Sequence, residues 1–364
     1  MYSECKKVQF DGQHVYVGID VARKSWKVSV YVGQAYHKRF SQAPEPKAMV
    51  EYLQRNFPGA VYHTVYEAGY FGFWIHRALT GLGVDSMVIN PADVPTTDKD
   101  RRTKTDRVDA AKLAWALARG GLRGIYVPER IAEEDRMLVR MRASFVRKQT
   151  RTKNQIKACL RYYGEQVPED ITDRYWSRAY IAWLERRSFE HESGHVAFQA
   201  LLTELLTLRA TIAELTKRIH ALSHTERYRR SVEVLLTVSG ISLAAAMTFL
   251  TEIVTLERFR RLDHLLGYIG LVPGEHSTGD TEHDTGLNPR RNAALRYMLI
   301  ECAWIAQRED PALLQAFKDY CQRMPKSLAI IHVTRKLVCR MRYVLKHQQP
   351  YVTGVRSTGT PWAA

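Results

Sequence analysis

The sequence is poor in cysteine, and its cysteines do not form a pattern that binds zinc or builds disulfides. It has 364 residues and only five cysteines, which are Cys5, Cys159, Cys302, Cys321 and Cys339, with no C-x-x-C pair among them. An odd, scattered set of this kind is typical of reduced thiols that pack as small apolar side chains. We therefore expect neither a disulfide scaffold nor a cysteine zinc site.

Long hydrophobic runs are also missing. An apolar stretch such as 243–250 is much shorter than the ~18–20 residues that a membrane-spanning helix needs. The first residues, MYSECKKVQFDG, contain no apolar signal region. These absences predict a cytoplasmic protein with no membrane partner.

Negative charge is in the minority. The chain has 54 lysines and arginines against 38 acids, a net charge of +16, and such an excess indicates a polyanionic partner, with nucleic acid the first choice. Between positions 99 and 161 there are 18 basic residues and 7 acidic ones. Phosphate contacts are expected from this segment, although a solvated charged face is the alternative. The candidate nucleic-acid-binding residues are Arg101, Arg102, Lys104, Arg140, Arg147, Lys148, Arg151, Lys153 and Lys157.

The hydrophobic pattern predicts an α/β domain over residues 1–125 and helices thereafter. Four β-rich runs, 14–20, 26–32, 60–68 and 85–90, alternate with helical segments. A basic helical region follows over 126–228, then a helical domain over 229–345 and a flexible tail over 346–364. Within the middle region a heptad seam runs through Leu201, Leu205, Leu208, Ile212, Leu215, Ile219 and Leu222. Its partner is either the helix around 137–160 or the same segment of another subunit.

Four carboxylates stand at positions that suggest a shared site. Asp106 and Asp109 are three residues apart on a predicted helix and so share one face, while Asp20 and Glu67 each end a predicted strand. Four carboxylates can hold two divalent cations, and hard oxygen ligands favour Mg²⁺, with Mn²⁺ as the substitute. The plainer alternative treats each as a capping or surface acid.

Three motifs in the first domain and one long motif in the last resemble a known family. YVGIDVARKSWKVSVY, VYEAGYFGFWIHRALTGLGVDSMVINP and KTDRVDAAKLAWAL resemble the N-terminal domain of DEDD insertion-sequence transposases, the insertion-sequence one-ten family, which includes Piv-type DNA invertases. LLTVSGISLAAAMTFL, with the later FRRLDHLLGYIGLVPGEHSTGD, resembles that family's C-terminal domain.

The resemblance implies an RNase H-like (RuvC-like) N-terminal domain, a helical coiled-coil middle and a helical C-terminal transposase domain. It implies that Asp20, Glu67, Asp106 and Asp109 are the catalytic, metal-binding acids. It also implies strand cutting and rejoining on double-stranded target and donor DNA, guided by a bridge RNA. A homodimer or homotetramer at the nucleoid would carry out the reaction.

The nucleophile is where the sequence departs from the family pattern. The relevant loop follows the GLVP run in the segment GLVPGEHSTGD. The family places a serine directly before a glycine in this loop, whereas here Thr278 stands directly before the glycine and Ser277 precedes it. A hydroxyl of either residue can attack phosphorus once a base or metal removes its proton. Two other functions stay open: a metal-dependent nuclease resembling a junction resolvase, and an inactive nucleic-acid-binding relative.

Overall fold

A computed structural model describes residues 9–94, 106–171, 176–278, 281–287 and 291–353; for 106–108, 273–278 and 281–287 it describes the backbone alone. The chain divides into two compact units, Met1–Val127 and Pro128–Ala364. Arg101, Arg102 and Lys104 lie outside the described residues. The predicted boundary between 228 and 229 stays a prediction.

The first unit is built on a mixed five-stranded sheet. Its strands are β1 (His14–Asp20), β2 (Trp26–Val32), β3 (Ala35–Gln42), β4 (Val61–Glu67) and β5 (Asp85–Ile89). Their order is β3-β2-β1-β4-β5. The β1–β2 and β2–β3 pairs are antiparallel, while β1–β4 and β4–β5 are parallel. The carboxyl ends of β1, β4 and β5 therefore meet at one edge of the sheet.

Helices cover both faces of this sheet, because β1 has buried residues on each of its two faces. Val15, Val17 and Ile19 are fully buried on one face, where they pack with residues of α1 (Pro46–Asn56) and α2 (Trp74–Gly81). The opposite face, which carries Gly18 and Val65, packs against α3 (Asp106–Ala118). The predicted α/β character of this unit is confirmed.

Within its described residues, the second unit is helical except for one hairpin. Its helices are α4 (Arg130–Tyr162), α5 (Arg178–Glu185), α6 (Glu192–Ser223), α7 (Arg229–Leu236), α8 (Leu243–Ile253), α9 (Leu262–Ile269), α10 (Ala293–Glu309), α11 (Pro311–Cys321) and α12 (Lys326–His347). The strands β6 (Pro273–Thr278) and β7 (Thr281–Leu287) form an antiparallel pair between α9 and α10. The sequence predicted only a polar loop there.

The heptad seam of α6 finds its partner within the chain. Ile156 and Leu160 of α4 pack with Phe198 and Leu205 of α6. At the other end of the pair, Val139 lies in a cluster with Ile219. The two long helices therefore form an antiparallel hairpin, the first of the two arrangements that the sequence allowed.

Helix α6 is also long and apolar enough to cross a membrane, judged by length and composition alone. Its most apolar 18-residue window has a mean hydropathy of 1.3 and is 22% buried. A single helix of this kind is weak evidence for a membrane span, because core helices of soluble proteins pass the same test.

Gly18 is the point where α3 comes closest to the sheet. A Cβ built on Gly18 would lie 2.1 Å from the carbonyl oxygen of Ala110 and 2.5 Å from the amide nitrogen of Ala114. Since these are backbone atoms, no side-chain rotation relieves the clash. The absence of a side chain at position 18 thus sets the distance between α3 and β1.

We expect Gly18→Ala to lower the free energy of unfolding of the first unit by about 1–3 kcal/mol, the usual cost of overpacking. Chemical denaturation measures the effect.

Gly81→Ala is the matched control, because Gly81 ends α2 with an ordinary φ and open space around its Cβ position. It should leave stability equal or slightly higher. Equal stability of Gly18→Ala and the wild-type chain would contradict the packing argument.

Candidate active site

Three of the four predicted acids line one cavity in the first unit. Asp20, Glu67 and Asp109 surround a cavity of about 270 Å³, together with apolar residues such as Ile19 and Leu113. Each of the three acids is half-buried. The charged side chains among the described lining residues are all carboxylates, so the cavity concentrates negative charge within a strongly basic chain.

The sheet register explains why Asp20 and Glu67 meet. In the parallel β1–β4 pair, Gly18 is opposite Val65 and Ile19 is opposite Tyr66. The next step of this register sets Asp20 beside Glu67, on the face that carries Gly18. Because side chains alternate along a strand, both acids extend toward the α3 side of the sheet.

Helix α3 delivers the third acid. Asp109 directly precedes Ala110, whose carbonyl oxygen makes the close approach to Gly18. Asp106 begins the same helix one turn earlier, but the structure describes only its backbone. Whether the fourth acid joins the cavity therefore stays a prediction, based on helical spacing.

The donor chemistry of the cavity suits a hard divalent cation, but the side-chain positions do not form a closed ligand cage. Carboxylate oxygens are the ligands that Mg²⁺ and Mn²⁺ prefer. Among the residues whose side chains are described, no three His, Cys, Asp or Glu side chains stand close enough together to hold a metal ion.

The two nucleophile candidates lie in the second unit, at the turn end of the β6–β7 hairpin. In the strand register Ser277 is opposite Glu282 and Thr278 is opposite Thr281. The side chains of both candidates, and residues 279–280, lie outside the described part of the chain. The sequence missed this hairpin because its strands are polar and carry no apolar alternation.

The base of the hairpin is held by a buried carboxylate that sequence reasoning did not single out. Glu252 of α8 is 1% exposed. Its carboxylate accepts two hydrogen bonds from Arg140 of α4, at 2.5 and 2.7 Å, and one from the Asn292 Nδ2 at 2.8 Å. The Asn292 side chain caps α10, and the Asn292 backbone amide donates a hydrogen bond to the Tyr268 carbonyl of α9. Glu252 thus joins α4 to both segments that flank the hairpin.

The charge of Glu252 is retained despite its burial. Burial by itself raises the pKa of this carboxyl, but the hydrogen bonds from Arg140 and Asn292, with the charges of Arg140 and Arg136, outweigh burial and leave the pKa below its ordinary value. Arg136 lies 3.9 Å from the carboxylate. The only sequence signal was an acid in an otherwise apolar helix, LAAAMTFLTEI.

This pairing changes the interpretation of Arg140. The sequence placed Arg140 among the phosphate-binding residues, but its guanidinium is bound in a two-pronged ion pair with a buried acid. If the Arg140 guanidinium moved away from Glu252 to bind a phosphate, the Glu252 carboxylate would stay buried without that partner, at a high free-energy cost. We therefore leave Arg140 out of the nucleic-acid surface proposed below.

The other candidate nucleic-acid-binding residues of α4 lie farther along the helix. Arg147, Lys148 and Arg151 are exposed. The ammonium groups of Lys153 and Lys157 lie 5.4 and 6.0 Å from the centre of the Trp176 ring. Burial, followed by the charges of Arg209 and Lys157, lowers the pKa of Lys153.

The aromatic residues near this basic segment divide by burial. Trp176 is 6% exposed and packs in the cluster between α4 and α6, so it serves helix packing and not base stacking. Tyr162 and Tyr163, which end α4, are 83% and 57% exposed. Of these three aromatic residues, Tyr162 and Tyr163 are the ones open to contact with a base.

Comparison with known proteins identifies the class. Residues 17–164 match the model of the DEDD transposases of the IS110 type, and residues 232–318 match the model described as the transposase IS116/IS110/IS902 family. A sheet that gathers carboxylates at one edge, followed by a basic helical unit, thus belongs to a transposase, an enzyme of DNA recombination. The chain belongs to the IS110 family.

Curated relatives agree over most of the chain. A putative transposase of Sinorhizobium fredii, y4qE, is 32% identical over 81% of this chain and 72% of its own length. A second one, y4rJ, is 30% identical over 80% of this chain and 78% of its own length. The transposase for insertion sequence element IS1111A of Coxiella burnetii is 26% identical over 63% of this chain and 61% of its own length.

Proposed function

We propose that this transposase cuts and rejoins DNA strands with Asp20, Glu67, Asp106 and Asp109 as an acid quartet and with a hydroxyl nucleophile from the β6–β7 hairpin. The observation that carries the proposal is the single cavity lined by Asp20, Glu67 and Asp109. We further propose that the first unit is RNase H-like, and the support is its strand order, β3-β2-β1-β4-β5. We also propose that the enzyme works in the bacterial cytoplasm at the nucleoid.

The four carboxylates would hold Mg²⁺, or Mn²⁺ in its place. When bound, such an ion neutralises charge on the phosphate and lowers the pKa of an attacking hydroxyl. The residues themselves set the position of the scissile phosphate, because the cavity opens at the carboxyl ends of β1 and β4. Apolar walls formed by Ile19 and Leu113 limit the water around it.

The strand-cleavage step would be a transesterification. The hydroxyl oxygen of Thr278 or Ser277 forms a bond to phosphorus, and the bond between phosphorus and the leaving sugar oxygen breaks. The hydroxyl proton passes to a base, and the sugar oxygen leaves as a hydroxyl group. The phosphodiester count is conserved, so the reverse attack by another sugar hydroxyl rejoins the strands without an external energy source.

We expect a covalent protein–DNA adduct to be trapped by denaturation during the reaction. Thr278→Ala should abolish the adduct if threonine is the nucleophile, and Ser277→Ala should abolish it if serine is. Gel mobility and mass spectrometry of the attached peptide identify the residue.

Ser144→Ala, in helix α4, is a control that should leave the adduct unchanged. Cleavage without any adduct would instead identify a metal-dependent nuclease. An adduct that survives both hairpin substitutions would contradict the proposed nucleophile.

We propose that a bridge RNA guides the enzyme to target and donor DNA, and that Arg147, Lys148, Arg151, Lys153 and Lys157 contact phosphates of these nucleic acids. The support is the net charge of +16 and the three exposed cations within one turn and a half of α4. Sequencing RNA that co-purifies with the protein tests the guide: a discrete structured transcript supports it, and random cellular RNA contradicts it.

We propose a homodimer or homotetramer, because rejoining two duplexes needs more than one site. The heptad seam is used inside the chain, so the subunit contact would use the outward side of the α4–α6 hairpin. Exposed apolar residues of these two helices include Met137 and Val196, at 61% and 59%. Sedimentation of the full chain, with and without DNA, measures the assembly.

A further inference from the structure

Tyr70 stands at the mouth of the acidic cavity with its side chain almost wholly in water. The residue contributes to the lining of the cavity beside Glu67 and is 97% exposed. Its ring makes one aromatic contact, edge-on to Phe71 at 5.7 Å between centroids. A single exposed aromatic side chain is common on protein surfaces, so what distinguishes Tyr70 is its position beside the acidic cavity.

The segment that carries Tyr70 is a closed turn, and several hydrogen bonds hold it. The Gly72 amide donates to the Gly69 carbonyl at 3.1 Å, so that Tyr70 and Phe71 are the two corner residues. Gly72 has a φ of +58°, which glycine adopts without strain. The ring is therefore presented by a defined turn and does not hang from a long loop.

A buried tyrosine fixes this turn to the core. Tyr66, in β4, is 1% exposed, and its hydroxyl donates to the Gly72 carbonyl at 3.1 Å. The same hydroxyl accepts from the His76 amide, in α2, at 3.2 Å. Phe71 packs against the sheet core beside it. One corner residue of the turn is anchored and the other is left exposed over the cavity.

We propose that Tyr70 stacks on an unpaired nucleobase of the DNA strand whose phosphate enters the cavity. Aromatic side chains bind single strands in this way, and the contact tolerates any base because each base has a π-face. The contact would hold the strand on the base side while the carboxylates act on its backbone. Tyr70 would thus be a positioning residue for strand cleavage. The inference rests on the proposed function of the cavity.

The test is photocrosslinking of the full-length chain to a ten-nucleotide single-stranded DNA in which one thymidine is 5-iododeoxyuridine. It is done with Ca²⁺ in place of Mg²⁺, so that the carboxylates do not repel the strand, and at about 0.3 M salt, so that surface charge does not dominate. We expect a crosslink in the tryptic peptide 56–77, which contains Tyr70. Tyr70→Phe should retain it, and Tyr70→Ala should reduce it at least tenfold and weaken binding about 5- to 100-fold.

Tyr36→Ala is the matched control, since Tyr36 is an exposed tyrosine of the same unit at the opposite end of the strands. It should leave the crosslink unchanged. Fully paired duplex DNA should compete poorly. A crosslink at 56–77 that persists in Tyr70→Ala, or equal competition by duplex, would overturn the inference.

Asp20→Asn separates this inference from the proposed chemistry. The crosslink should persist in that variant, because stacking does not need the carboxylate. Loss of cleavage in Asp20→Asn together with an intact crosslink supports both ideas. Normal cleavage in Asp20→Asn, with a crosslink that still depends on Tyr70, removes the chemistry and keeps the stacking contact.

Discussion

Replacing Asp20 by asparagine should reduce DNA strand cleavage about 100- to 1,000-fold, with Glu67→Gln and Asp109→Asn close behind. Each change removes one negative charge from the cavity that the three acids line. An amide keeps the shape of the carboxylate but binds a divalent cation much less strongly, so the phosphate and the attacking hydroxyl lose their activation. Losses of this size are typical when one electrostatic contributor is removed from an active site.

The measurement is a nicking and strand-exchange assay on cognate DNA with Mg²⁺ titrated over several decades. If the replaced residue is a metal ligand, the cleavage rate of the variant should partly recover at high Mg²⁺ or when Mn²⁺ replaces Mg²⁺. Glu51→Gln, an exposed acid of α1, is the control and should cleave at the wild-type rate. Undiminished strand exchange in all three cavity variants would end the proposal that these carboxylates carry the chemistry.

The second large effect should come from Glu252→Ala, which we expect to lower the free energy of unfolding of the helical unit by about 1–3 kcal/mol, the usual cost of leaving buried hydrogen-bond partners unsatisfied. The carboxylate is buried, and its removal leaves Arg140 without its partner while Asn292 loses an acceptor. The loss exceeds that of a surface pair because Arg136, 16% exposed, also loses a nearby carboxylate, whereas Arg140, 56% exposed, is partly compensated by water. Glu134→Ala, which breaks the exposed Arg130–Glu134 pair, should cost less than about 1 kcal/mol.

Urea denaturation, followed by the helical circular dichroism signal, measures this effect. Activity should fall as well, because Asn292 anchors one side of the hairpin that carries Ser277 and Thr278. Restoration of stability by Glu252→Gln to within about 1 kcal/mol would show that hydrogen bonding, and not charge, is what the site requires. Stability of Glu252→Ala equal to that of the wild type would contradict the role described for this network.

The network also predicts acid sensitivity with a definite sign. The folded pKa of Glu252 lies below its ordinary value, whereas in the unfolded chain it is about 4.3. A depressed folded pKa contributes stability that is present above the unfolded pKa and is lost as the pH falls through the folded pKa. The stability difference between the wild-type chain and Glu252→Gln should therefore be constant near neutrality and shrink below about pH 4.3.

The sequence predicted the elements whose side chains alternate or repeat clearly. Strands β1, β2, β4 and β5 were found from their apolar alternation. Strand β3 was missed because it is an edge strand whose residues are mostly exposed and polar, AYHKRFSQ. Such strands carry charge that discourages pairing with other chains.

The site was predicted where local spacing sufficed and missed where contacts join distant positions. Asp20 and Glu67 were recognised because each ends a strand, and Asp109 because of its helical position. The Arg140–Glu252 pair joins residues that are 112 positions apart, and nothing in either neighbourhood signals the other. For the same reason the sequence assigned Arg140 to phosphate binding. Long-range pairs of this kind depend on packing, which periodicity does not encode.

Part of helix α4, in the α4–α6 helical hairpin, has a length comparable to one helical repeat of DNA. Arg140, fixed at the base by Glu252, and Tyr162, exposed at the tip, are 22 residues apart. At 1.5 Å per residue this is about 33 Å, close to the ~34–36 Å that separate successive major-groove positions on the same side of B-DNA. The helix can therefore act as a rigid spacer that brings its tip to the neighbouring groove while its base stays fixed in the protein.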